Sequence, residues 1–150
     1  MRGNLQQKKA YLFLMKKFGF FIVLLTINIS FSQTTHPIDK ENSNCLENAV
    51  PTTIGSIKCE QAALASWKTE LSKVLKQLKA NPKLSNFDLL EDSQAKWLAF
   101  HQANLKFYYA YYQKQYQGGS MARAAVVTYE KRHLRERVLY LLELLEELQE

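Results

Sequence analysis

From Ser56 onward the apolar residues recur with a helical period. Leu64, Trp67, Leu71, Val74, Leu75 and Leu78 fall at spacings of three and four, with Lys68, Glu70, Lys73, Lys76 and Lys79 on the other faces, which predicts an amphipathic helix. Asn81-Pro82 ends it, because a residue before proline is pushed out of the α region. A second helix is expected to start between Ser85 and Asp88 and run to about Gln117, with Leu90, Trp97, Leu98, Leu105, Tyr108, Tyr109, Tyr112 and Tyr116 at roughly helical spacing. Gly118-Gly119 stops it, glycine tolerating the left-handed geometry that follows a helix end. Ser120 is placed to cap a third helix that runs to near Leu148. Ala125, Tyr129, Val138, Leu141, Leu142, Leu145 and Leu148 are its expected inward positions. In this helix Lys131, Arg132, Arg135 and Arg137 sit in the middle and Glu143, Glu146, Glu147 and Glu150 crowd the C-terminal end, against the helix dipole. Residues 33–55 are polar and turn-rich, with Pro37, Pro51 and Gly55, and read as an extended arm with one turn near Lys40 to Glu47. No internal repeat and no strand-period segment is found. The expected fold is all-α, a three-helix antiparallel arrangement with an N-terminal arm.

The start of the chain has a different character. Residues 1–32 carry five basic residues (Arg2, Lys8, Lys9, Lys16, Lys17) and no acidic one. Lys16-Lys17 precedes an apolar run from Phe18 to Ile29 and then Ser30-Phe31-Ser32, the layout of a secretory signal peptide cut after Ser32. Twelve residues rise only about 18 Å as a helix, short of the roughly 30 Å hydrocarbon layer. An uncleaved anchor is the alternative, since Leu12 to Met15 adds apolar residues upstream, and Met15 is a second candidate start. On this reading residues 33–150 form one exported domain, periplasmic or secreted, with no stable membrane anchor.

Removing the leader changes the charge. The whole chain is +6, with 20 basic and 14 acidic residues. Without the five leader cations the remainder is close to neutral. A nucleic-acid partner then lacks the basic footprint it needs.

Both cysteines, Cys45 and Cys59, lie in the exported part. An even count in an oxidising compartment favours a bridge, and Pro51 and Gly55 between them let the segment turn back. Closing a loop of this size contributes about 3 kcal/mol in the chain-entropy account. Two free thiols are the alternative. Zinc is disfavoured because no CxxC or nearby histidine accompanies the pair.

Several motifs stand in one order: Pro37-Ile38-Asp39, Cys45 with Cys59, Ala62 to Trp67-Lys-Thr-Glu-Leu71, Gln94-Ala-Lys-Trp97-Leu-Ala-Phe100, Gly118-Gly119-Ser120-Met121, and Arg137 before Leu141. In this order they resemble the lysozyme inhibitor LprI-like N-terminal domain family, over about Pro37 to Leu148. The resemblance implies an exported helical domain with cysteine bridges; inhibition of lysozyme, known for few members, does not transfer automatically. It also implies a second cysteine pair, at positions that fall on Leu105 and Tyr129, where apolar packing is expected to replace the bridge. Where the family often carries Arg-Asp after the Trp motif, this chain has His101-Gln102, which puts any partner binding by that pair in doubt.

Candidate chemistry is sparse. His101 and His133 lie on antiparallel neighbours and can approach each other, but a metal or acid–base pair needs a further ligand or carboxylate. They are expected to be partly exposed surface histidines, and His36 in the arm is uninformative. Ser120 lacks the preceding strand that a nucleophile elbow requires. No catalytic group, metal site or cofactor is therefore expected. Trp67 and Trp97 read as core aromatics. Tyr108, Tyr109, Tyr111, Tyr112 and Tyr116 cannot all face inward, so an outward set, chiefly Tyr111 with Tyr112, is a candidate partner-binding surface. The alternative is that they pack on the arm. Asp39, Glu41 and Glu47 with the acidic C-terminal end are candidates for meeting a cationic partner such as a lysozyme, or simply a solvated surface. The expected function is a non-enzymatic binding protein that blocks a peptidoglycan-cleaving lysozyme. The alternative is a non-inhibitory envelope module with another exported partner. Oligomeric state is left open.

Overall fold

The computed structural model describes residues 35–150; the leader read at residues 1–32 lies outside them. Among the described residues there are four helices and no strand: α1 (Pro37–Asn48), α2 (Thr53–Ala80), α3 (Phe87–Gln115) and α4 (Ser120–Glu147). None is long and apolar enough to cross a membrane.

The expected extended arm is a helix, so the three-helix reading is corrected to four. Pro37 at the first helical position and Asp39 in the first turn both suit a helix start. His36 caps that start, its Nδ1 accepting from the Ile38 N–H at 3.3 Å. α1 buries no residue fully, so no apolar stripe announced it.

α2 begins three residues before the periodic pattern does. The Thr52 hydroxyl oxygen accepts from the Gly55 N–H at 3.1 Å. Glycine is required at position 55, because a Cβ there would strike the Val50 carbonyl oxygen. α3 ends where the sequence placed it: Gln117 (φ 51°) and Gly118 (φ 72°) adopt the left-handed conformation and reverse the chain. The expected capping by Ser120 does not occur. Gly119 occupies the cap position, Ser120 is the first helical residue, and no side chain caps this end.

α4 is the organising element: α2 packs along it most extensively and α3 more lightly, while α1 packs on α2. Contacts fix the directions. Thr53 meets Met121 near the start of α2 and α4, and Val74 and Leu78 meet Leu141 and Leu145 near their ends, so these two helices run parallel. His101 meets His133 and Gln94 meets Arg137, so α3 runs antiparallel to α4. Cys45–Cys59 and His36–Trp67 make α1 antiparallel to α2.

The core divides in two. One cluster joins Leu64, Trp67, Val127, Leu134 and Val138, with Ile38, Leu71 and Trp97 against it. The other joins Val74, Leu78, Leu141 and Leu145, with Leu84, Phe87 and Leu90 closing the far end. Trp67, Leu78, Leu141, Val74 and Val138 are fully buried, and Leu64, Tyr129 and Leu145 are nearly so, which accounts for most of the inward positions expected on α2 and α4.

Candidate partner-binding surface

Four attachments hold α1. The disulfide Cys45–Cys59 forms, with Cα atoms 5.7 Å apart. Asp39 accepts from Arg135 Nε at 2.8 Å, and its carboxylate lies 2.7 Å from Arg135 Nη2. Hydrogen bonding to Asp39 raises the Arg135 pKa further above its usual value, against the opposing effect of burial. With the Asn42 amide nitrogen donating to the Cys59 carbonyl at 3.2 Å, its oxygen accepts from Lys131 Nζ at 2.8 Å. Lys131 Nζ also lies 2.7 Å from Glu60 Oε2. That oxygen has no well-directed hydrogen bond, so the contact is chiefly one of charge. Finally, the His36 ring sits 4.5 Å from that of Trp67, so this histidine has a structural place that the sequence did not reveal. Asp39 is thus engaged inside the fold, whereas Glu41 and Glu47 on the same helix are exposed.

The α3–α4 interface is aromatic. The Trp97 ring stacks on His101 at 4.9 Å and on His133 at 5.5 Å. The two histidines share a hydrogen bond, Nδ1 to Nδ1, at 2.6 Å. One ring must donate and the other accept, so the accepting ring is neutral. His101 is only 5% exposed, which corrects the expectation of a surface position for it, whereas His133 is half-buried as expected. Burial first, then His133 and Lys68, lower its pKa from 6.5, against a smaller raising effect of Glu130. Among the described residues no group of three or more His, Cys, Asp or Glu side chains is placed to hold a metal ion.

Arg137, the motif arginine before Leu141, donates through Nε to Gln94 at 2.9 Å. Its guanidinium lies over the Trp97 and Tyr140 rings at 5.8 and 5.3 Å. Burial lowers its pKa, and one Nη remains without a partner. Of the positions implied for a second cysteine pair, Leu105 is half-buried and Tyr129 is buried. The Tyr129 ring packs on Tyr108 at 3.9 Å between centroids, so an aromatic contact between α3 and α4 stands where a bridge is implied. Burial, reinforced by Tyr108, pushes the Tyr129 hydroxyl pKa up.

The expected tyrosine set divides as follows. Tyr112 and Tyr116 line an open cleft with Met121, Thr128, Tyr129 and Arg132, between the end of α3 and the start of α4. Tyr111 is exposed, and its ring is 5.2 Å from that of Tyr112. Tyr109 and Leu98, which share the helical spacing of the apolar residues of α3, are exposed. Because Thr53 lies against Met121 at 3.8 Å, the α1–α2 turn and the α3–α4 turn share one end of the bundle. Val50, Ile54 and Met121 are exposed there. This end offers an apolar, tyrosine-rich surface. Glu41 and Glu47 lie on α1, while Glu143, Glu146 and Glu147 lie at the opposite end of α4.

No curated protein and no solved structure matches the chain. A family model described as lysozyme inhibitor LprI matches residues 45–141, from the first disulfide cysteine through the motif arginine to the core of α4. The chain belongs to the LprI lysozyme-inhibitor family.

Proposed function

We propose that the protein is exported with cleavage after Ser32, acts outside the cytoplasmic membrane, and binds a peptidoglycan-cleaving lysozyme so as to block its cleft. The observation that carries this reading is the match to an inhibitor family over a segment that includes the whole tyrosine-rich end. The end of the bundle that carries both turns, with Val50, Ile54 and Met121 exposed on it, is the part that would enter the partner's cleft. Tyr111, Tyr112 and Met121 supply aromatic and thioether surface that loses little conformational freedom on binding or adapts to its partner. Lysozymes are commonly basic, and the exposed carboxylates Glu41 and Glu47 of α1 would speed encounter rather than fix affinity. Asp39 would contribute mainly by holding α1 in place through Arg135. The disulfide accords with an oxidising compartment.

The test is turbidimetric lysis of cell walls by lysozymes of several types, with the purified protein in excess. Inhibition that is lost on Tyr112→Ala and Met121→Glu, with helicity unchanged, supports the proposal. Undiminished lysis by every lysozyme type rejects it and favours a non-inhibitory envelope module, whose partner would be another exported protein.

A further inference from the structure

α3 presents a face that no part of the described fold covers. Trp97, His101 and Tyr108 turn toward α4. On another face, Leu89, Lys96, Phe100, Ala103, Phe107, Ala110 and Lys114 follow one another at intervals of seven, four, three, four, three and four. That is the a/d spacing of a helix prepared for a helical partner. These are not incidental surface residues: Leu89 is 64% exposed, Phe100 57%, Phe107 61%, and the adjoining Tyr111 50%. A stripe of this kind, apolar from Phe100 to Ala110 and flanked by Lys96 and Lys114, marks an interaction surface.

We propose that this stripe is the interface of an antiparallel homodimer, α3 against α3 of a second copy. Two features make the stripe complementary to itself. Large and small side chains alternate along it (Phe100, Ala103, Phe107, Ala110), so in an antiparallel pairing Phe100 of each copy fills the space over Ala103 of the other. In the same register Lys96 reaches Phe107 of the second copy, a cation–π arrangement. The charge on α3 is also graded. Asp88, Glu91 and Asp92 occupy its first turns, and Lys106 and Lys114 its second half. Antiparallel packing in that register sets Lys114 of one copy level with Leu89 of the other, beside Asp88, twice by symmetry. A parallel pairing would set like charges together. An isologous interface requires this kind of self-complementarity.

The size is that of a modest dimer. Four half-exposed large side chains offer about 400 Å² per copy, on side-chain areas of about 200 Å² each. Doubled, and with the flanking alanines and lysine stems added, the total reaches the lower end of the roughly 1,200–2,000 Å² of stable interfaces. A dissociation constant in the micromolar range is therefore expected.

Sedimentation equilibrium of the purified protein, expressed with its own N-terminal segment, between about 1 and 500 µM spans that range. The expected result is a concentration-dependent monomer–dimer equilibrium. Phe107→Lys should raise the dissociation constant at least about tenfold, as for a central interface anchor, with far-UV circular dichroism unchanged because the side chain is exposed. Asp88→Lys should weaken the dimer, and Asp88→Lys with Lys114→Asp should restore it. A protein that stays monomeric throughout overturns the proposal, whatever else covers the stripe. So does a dimer that survives Phe107→Lys, or a double charge reversal as weak as the single one. Tyr111 is shared with the surface proposed to meet lysozyme, whereas Phe107 is not, so the Phe107→Lys result bears on the dimer alone.

Discussion

Replacing both cysteines with serine (Cys45→Ser, Cys59→Ser) separates the attachment of α1 from the stability of the bundle. The bridge closes a segment with a sequence separation of 14. Opening a loop of about 15 residues gives back roughly 3 kcal/mol of denatured-state entropy. That loss is not expected to fall evenly. α1 has no fully buried residue, so with the bridge gone it is held by Asp39–Arg135, the Asn42–Lys131 contact, the His36–Trp67 ring contact and the partly buried Ile38. The ion pair is partly exposed and contributes on the order of 1 kcal/mol, little against the roughly 1 kcal/mol per residue needed to order twelve backbone positions. α1 should therefore detach. The two apolar clusters are built mainly from α2 and α4 with support from α3, and they remain. Far-UV circular dichroism should lose no more than the share of α1, whose 12 residues compare with 28, 29 and 28 in the other helices. Amide hydrogen exchange should speed up across residues 37–48 and stay slow in the middle of α2 and α4, with the Trp67 fluorescence shifting to the red. If the whole helical signal collapses, the bridge is holding the core. If α1 keeps its protection, the polar contacts are far stronger than reckoned. Either result refutes the reasoning.

Three further predictions follow from buried groups. The lowered His101 pKa means the folded protein binds this proton less readily than the unfolded chain. Stability is then highest above the unfolded value of 6.5 and falls as pH drops below it toward the folded pKa; His101→Gln should flatten the dependence of Tm on pH across that window, and an equally steep profile in the variant contradicts this. Trp67→Ala should cost about 3–5 kcal/mol in denaturant unfolding, the range for deleting a large core aromatic. Trp67→Phe should cost markedly less, because the indole Nε1 has no hydrogen-bond partner to lose; equal losses would show a bond or packing role that the geometry does not contain. Arg137→Lys, though it keeps the charge, should cost about 1 kcal/mol, since a lysine has no planar group to stack between Trp97 and Tyr140 and no Nε to reach Gln94; an unchanged midpoint would show that charge alone matters there.

The sequence by itself determined the three long helices and most of their inward faces. Leu64, Trp67, Val74 and Leu78 on α2, and Val138, Leu141 and Leu145 on α4, repeat with a period that only a helix with one buried side can satisfy. The breaks at Asn81-Pro82 and Gly118-Gly119 are equally local, because they come from the steric limits of single residues. The cysteine pairing was legible too, from count and spacing. Tertiary structure decided the rest. α1 is helical without an apolar stripe, since its contacts with Arg135, Lys131 and Cys59 reach residues distant in the sequence that no window around Pro37–Asn48 contains. The same holds for the half-buried His101–His133 bond, which joins positions 32 apart and depends on the rotation of α3 against α4. Leu98 and Tyr109 share the helical spacing of the apolar residues of α3 yet lie exposed, because α3 packs chiefly against α4 and so buries a narrower strip than its apolar content would allow. Periodicity records that a helix has a face to bury. Which neighbour covers it, and how much stays open to solvent, is set by how whole helices pack, an energy that no local stretch of sequence contains.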